Sequence, residues 1–235
     1  GAGTATVTAE LSAASGLPVT VPYAVSGDAT DPDDYTLAPN PIVIPAGMTT
    51  ADVTVTLVGD LLDENDETVV LTIGAPTNAG VGATNVHTLT INDDDATPTV
   101  DFTTAAQSAG EASGTAMATV SLSAASGLEV SVPLLLGGSA GSPADYTVAP
   151  DPVVIAAGST SADITFTIVS DLLAESDETA VVTLGAPTNA SLGTATVHTL
   201  TITDDDTEPT VSFDSAMQTV SEGAGVVGAN VSLSS

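Results

Sequence analysis

The 235-residue chain has no lysine, no arginine, no cysteine and no tryptophan, and aromatic residues make up only 3% of it. Each absence closes off a class of function. An ordinary soluble domain is about a quarter charged residues, of both signs. Here 30 acids face no basic side chain beyond two histidines, for a formal net charge of −30. Nucleic-acid binding relies on Lys and Arg to neutralise phosphates and release counterions, so it is excluded as a role. A polybasic membrane surface is excluded on the same ground, and a Walker-type phosphate cradle lacks its Lys. Without cysteine there is no disulfide and no thiolate zinc site. No apolar run reaches the ~20 residues that span a bilayer, so direct membrane insertion is not expected. Lacking bases, each carboxylate must face water, accept hydrogen bonds, hold a proton or bind a foreign cation.

What is present argues for a folded chain. Hydrophobic residues make up 43%, and the mean hydropathy is +0.36. Val, Ile, Leu and Thr are abundant, a mix that suits strands, so the expected core is aliphatic.

The chain repeats itself. Leu11-Ser-Ala-Ala-Ser-Gly-Leu17 returns at Leu122–Leu128, Asp34-Tyr35 at Asp145-Tyr146, and Gly74–Ala79 at Gly185–Ala190. Val86-His-Thr-Leu-Thr-Ile91 returns at Val197–Ile202, and Asp93-Asp94-Asp95 at Asp204-Asp205-Asp206. Every offset is 111 residues without a gap, the signature of a tandem array. Pro98, Val100, Phe102, Gln107 and Glu111 return once more as Pro209, Val211, Phe213, Gln218 and Glu222. The expected organisation is therefore residues 1–97 as a repeat lacking its first strand, 98–208 as a complete repeat, and 209–235 as the first strands of a third. The chain reads as a window cut from a longer array, or as a unit in which residues 209–222 of one copy complete the first repeat of the next.

Within a repeat the hydrophobic residues alternate over short runs. Examples are Ala116/Ala118/Val120/Leu122, Leu128/Val130/Val132/Leu134, Ile164/Phe166/Ile168 and Ala180/Val182/Leu184. Period-two runs broken by Gly, Pro, Asn and Asp predict strands, about seven per repeat, in a β-sandwich. No segment keeps a helical period. The joints Asp95–Pro98 and Asp206–Pro209 are too short to act as floppy tethers.

The acids cluster. In the second repeat most fall at Glu111, Asp145, Asp171, Glu175, Asp177, Glu178 and Asp204–Asp206, near strand ends that a Greek-key sandwich can bring to one pole. Two carboxylates about 4 Å apart repel by about 4 kcal/mol at an effective dielectric near 20, so several pairs would consume the whole stability of a domain. A cation is expected to resolve this. A hard cage of oxygen ligands suits Ca²⁺, which takes six to eight oxygens in flexible geometry; zinc does not suit a site without Cys.

The Asp-Tyr loop, the Asp-Leu-Leu-x-Glu-x-Asp-Glu-Thr segment and the last strand running into Asp-Asp-Asp resemble the Calx-beta domain, over essentially the full chain. The resemblance implies an all-β fold of tandem seven-stranded, immunoglobulin-like Greek-key sandwiches. It also implies several Ca²⁺ ions per complete repeat. Carried over by motif, the ligands in the second repeat would be Glu111, Asp145, Asp171, the Leu173 carbonyl, Glu175, Glu178, Asp204, Asp205 and Asp206. In the first they would be Asp34, Asp60, the Leu62 carbonyl, Glu64, Glu67, Asp93, Asp94 and Asp95. The family's acidic loop often opens with consecutive aspartates. Gly59 and Ser170 stand at one such place, so one ion is expected to be weaker or absent. Glu222 has no partner loop of its own in the chain.

Other residues read as structural. Asp63–Glu67 lacks the Gly and distal Glu of an EF-hand loop. Asp66 and Asp177 read as solvated or supporting acids, His87 and His198 as half-buried histidines at the core's edge, and Tyr35 and Tyr146 as packing that orients the ligand loop. No nucleophile elbow is present, and a carboxylate-pair glycosidase would want aromatic sugar platforms, so no enzymatic activity is expected. The expectation is a structural calcium-binding segment of an extracellular microbial fibre, filament or adhesin stalk at the cell surface, with Ca²⁺ stiffening loops and inter-repeat joints. Its partners would be neighbouring copies of the same protein. The alternatives are a calcium-sensing module of a signalling or transport protein and a Ca²⁺-dependent ligand-binding adhesin.

Overall fold

The computed structural model describes residues 3–38 and 40–234. The chain divides into two compact units. The first holds Gly1–Pro98 with Ser123–Val130 and Ala156–Thr160, and the second holds Thr99–Leu122, Ser131–Ile155 and Ser161–Ser235. Among the described residues no helix is long and apolar enough to cross a membrane.

The first unit runs β1 (Gly3–Glu10), β2 (Val19–Val21), β3 (Tyr23–Gly27), β4 (Tyr35–Leu37), β5 (Ile42–Ile44), β6 (Thr50–Leu57), β7 (Glu67–Ile73) and β8 (Val86–Ile91). Sheets β1-β6-β4 and β3-β7-β8 form the two layers, with β2-β5 as a small separate pair. Val53 and Val55 from one layer meet Val69 and Leu71 from the other, and Val19, Ile44 and Tyr35 close the core. The inward side of each strand is the apolar side of its period-two pattern, as the burial of β6 and β7 shows.

The second unit follows the same plan. It runs β9 (Thr99–Phe102), β10 (Ala106–Gly110), a 3₁₀ turn (Glu111–Ser113), β11 (Thr115–Leu122), β12 (Val130–Val132), β13 (Leu134–Gly138) and β14 (Tyr146–Ala149). It continues with β15 (Val153–Ile155), β16 (Ser161–Ile168), β17 (Glu178–Leu184), β18 (Ser191–Leu192) and β19 (Val197–Thr203). One sheet has the order β14-β16-β11-β9-β18 and the other β10-β19-β17-β13. This is the Greek-key sandwich that the sequence predicts. The first strand is split: β9 pairs antiparallel with β11 in one sheet, and β10 crosses to pair parallel with β19 in the other. That switch caps both sheets and closes the core over Phe102, Phe166 and His198. A last pair, β20 (Val211–Phe213) and β21 (Val231–Leu233), repeats the β9–β11 register but is exposed throughout.

Two corrections to the sequence expectations concern the histidines. His198 is fully buried rather than half-buried, with its ring 5.4 Å from Phe102 and 5.9 Å from Phe166. His87, in an identical hexapeptide, is exposed. The cause is tertiary: β9 and β10 lie over β19, whereas β8 is an edge strand with β7 as its single neighbour.

Candidate metal centre

The acids gather at strand ends because each follows or precedes a strand whose register is fixed by burial. In the second unit Glu111 opens the 3₁₀ turn that ends β10, Asp145 directly precedes β14, and Asp171–Glu178 links β16 to β17. Asp204–Asp206 follows β19. Tyr146, 1% exposed and packed 6.2 Å from Phe166, anchors the Asp145 loop into the core.

These groups meet in a small pocket lined by Glu111, Asp145, Asp171, Glu175, Glu178 and Asp204, with Ser176 beside them. Glu111, Asp204 and Asp206 each present an oxygen within 4.8 Å of the others, and Glu111 is buried. The loops are held open toward this centre by their own backbone. Asp171 N–H donates to Glu111 Oε1 at 2.7 Å, Leu173 N–H to Asp171 Oδ1 at 2.7 Å, and Gly141 N–H to Asp145 Oδ2 at 2.6 Å. Asp177, a supporting acid, accepts from Asp204 N–H at 3.3 Å and so braces the aspartate triplet. Leu173 and Asp205 are exposed and do not line the pocket.

In the first unit Asp34, Asp60, Glu64, Glu67, Asp93, Asp94 and Asp95 line one cleft of about 400 Å³, against about 30 Å³ for its counterpart. Leu62 is not in the lining; its N–H donates to Asp60 Oδ1 at 2.8 Å. Asp66 accepts from Asp93 N–H at 3.0 Å, the same brace as Asp177 provides. The spacing of the acids did not single out Asp63. It is buried, accepts from Thr97 Oγ1 at 3.0 Å, and within the first unit its carbonyl accepts from Ser126 Oγ at 3.1 Å. Hydroxyls 34 and 63 residues away carry no sequence signal for that pairing.

The electrostatics are those of acids crowded without a counter-charge. Desolvation, then the shared proton with Asp34 and the charges of Asp34, Glu64 and Asp28, pushes Glu67 up to about 7. Desolvation also works to raise Asp34, but hydrogen bonds from Thr30 and Glu67 outweigh it and hold Asp34 below the ordinary value. Glu64 is raised by desolvation and by Asp60, Asp34, Asp93 and Asp95. In the second unit desolvation and neighbouring acids raise Glu175, Glu178 and Asp206. Asp206 Oδ2 is buried without a hydrogen-bond partner. An orphaned carboxylate oxygen among other hard oxygens is the donor set that Ca²⁺ takes, so the residues present fit that ion.

Two β-sandwiches in tandem, each carrying an oxygen-only acidic pole, define a metal-binding repeat protein. The Calx-beta domain model matches residues 1–95 and again 93–206, so the chain belongs to the Calx-beta family, whose domains bind calcium. Among solved structures the chain is similar to the CBD12 domain pair of CALX1.2, at 17% identity and TM-score 0.41, covering 85% of this chain and 93% of that one. It is also similar to the apo form of the Calx CBD1 domain, at 19% identity and TM-score 0.44, covering 47% of this chain and all of that one (100%). No curated protein matches the chain.

Proposed function

We propose that the chain is a non-catalytic, structural calcium-binding segment of a long extracellular microbial fibre, filament or adhesin stalk. Several Ca²⁺ ions per complete repeat hold the acidic loops together and rigidify the inter-repeat joints. The observation that carries the calcium reading is the convergence of Glu111, Asp204 and Asp206 within 4.8 Å, with one Asp206 oxygen buried and unpartnered. Repeats that align without a gap at one 111-residue spacing, on short joints, favour a load-bearing role, and an oxygen cage needs only the millimolar calcium found outside cells.

Melting curves in calcium and in chelator test this. Binding to the folded state alone adds RT ln(1 + [L]/Kd) for each site, so Tm should fall by many degrees on chelation. Equal melting temperatures would refute the calcium reading. A regulatory module is the alternative reading. Calorimetric titration separates the two. A sensor shows sites filling in the range of roughly 10⁻⁷–10⁻⁵ M, whereas a structural segment shows all of its sites filling weakly but fully at millimolar calcium.

A further inference from the structure

One turn occurs twice in the chain with different surroundings. Leu11–Leu17 and Leu122–Leu128 are identical in sequence. Both form the same local turn: Leu17 N–H donates to Ser15 Oγ at 3.1 Å, and Leu128 N–H to Ser126 Oγ at 3.0 Å. A Cβ added at Gly16 would meet open space. A Cβ added at Gly127 would lie 2.5 Å from Glu64 Oε1, 2.6 Å from its Cγ and 3.0 Å from its Cδ. Gly127 does not hold a positive φ, so its missing side chain serves the close approach of Glu64 and not a special backbone conformation.

The turn is held in place from both sides within the first unit, which includes Ser123–Val130 and Ala156–Thr160. Ser126 is buried, and its Oγ donates to the Asp63 carbonyl at 3.1 Å. Gly127 N–H donates to the same carbonyl at 3.1 Å, and Gly158 N–H donates to the Ser126 carbonyl at 2.7 Å. Asp63 is itself buried and accepts from Thr97 Oγ1 at 3.0 Å. These bonds fix the backbone one residue before Glu64, whose side chain lines the acidic cleft with Asp60, Asp93 and Asp95.

We propose that Gly127 is a positioning residue for the first unit's metal site. Its bare Cα leaves the space in which the Glu64 side chain lies, and the bonds from Ser126 and Gly127 to Asp63 keep that Cα against Glu64. The carboxylate is thereby presented to the cleft before an ion arrives. A side chain at position 127 would meet the mobile end of Glu64 rather than rigid backbone. Glu64 would swing aside at little cost to folding, and the loss would fall on ion binding. The inference rests on the calcium reading of the cleft.

Calorimetric calcium titrations of the whole chain, paired with melts in chelator, test this. Gly127→Ala should leave the Tm in chelator within roughly 2–4 °C of the parent. It should weaken part of the calcium sites about tenfold or more, as loss of a group that orients a ligand does, and leave the rest unchanged. Gly16→Ala, the same change in the same turn with open space around it, should alter neither readout. Glu64→Ala should weaken the same part of the sites, and adding Gly127→Ala to it should weaken them no further, because the two act as one unit. Calcium binding by Gly127→Ala equal to the parent's overturns the inference and leaves the calcium reading standing. A large drop of its Tm in chelator, or additive losses in the double variant, also overturns it, since Gly127 would then act on the fold or by another route than Glu64. A parent chain that takes up no calcium overturns the calcium reading, and the inference with it.

Discussion

His198 donates from Nδ1 to the carbonyl oxygen of Thr104 at 2.7 Å. The carbonyl can only accept, so Nδ1 carries the proton of this bond, and Nε2 is buried in the core without a hydrogen-bond partner. The ring acts as a polar aromatic wedge that ties the β9–β10 crossover to β19.

His198→Ala should therefore cost about 2–5 kcal/mol, as expected for deleting a buried ring. His87→Ala, on an exposed edge strand, should stay within about 0.5 kcal/mol at low protein concentration. Urea melts of the two variants against the parent chain check the contrast; equal costs would contradict the different burial of the two rings.

Much of the fold is legible in the sequence because alternation reports which side of a strand faces inward. Ile164, Phe166 and Ile168 are buried as their parity predicts. The limit shows at the hexapeptides 86–91 and 197–202, which are identical in sequence, yet Leu89 and Ile91 are only partly buried and His87 exposed in one place, while His198, Leu200 and Ile202 are buried in the other. Local pattern fixes which face can be buried; a strand distant in sequence decides whether it is. The acidic pole was legible as a set for the same reason, since strand ends locate its members. Asp63 was not, because its partners are uncharged groups far along the chain.

Glu111→Gln keeps an acceptor for Asp171 N–H but removes one charge facing Asp204 and Asp206. In chelator the variant should melt higher than the parent by several degrees, since about 1 kcal/mol moves the Tm of a small domain by about 4–8 °C. In calcium the order should reverse, because a ligand charge is lost. Paired melts in the two conditions give both signs.

The pH dependence follows from Glu67. A carboxyl raised from its ordinary 4.5 to about 7 in the folded state contributes stability that is complete below about pH 4.5 and lost as pH rises through 7. The metal-free chain should thus be more stable near pH 5 than near pH 8. With calcium the slope should invert, because protons and the ion compete for the same oxygens. Thermal scans across that range in chelator and in calcium settle the sign.

Gly138 has φ of +108°, and a Cβ there would run into the carbonyl oxygen of Thr179. Gly138→Ala should cost at least about 1 kcal/mol from the backbone alone, and more from the clash with β17. Its neighbour Gly137 has open space around it, so Gly137→Ala should be nearly silent. Chemical denaturation of the pair measures the difference.

On the sheet faces, hydroxyls do for carboxylates what lysines do in ordinary proteins. Thr8 Oγ1 donates to Asp52 at 2.7 Å and Thr119 Oγ1 to Asp163 at 2.6 Å, the same cross-strand pair one repeat apart. Such bonds contain one charge rather than two, so dissolved salt has no attraction to screen there. It acts only on repulsion between acids. On these faces brine should therefore relieve repulsion between acids, where it loosens a surface held by opposite charges.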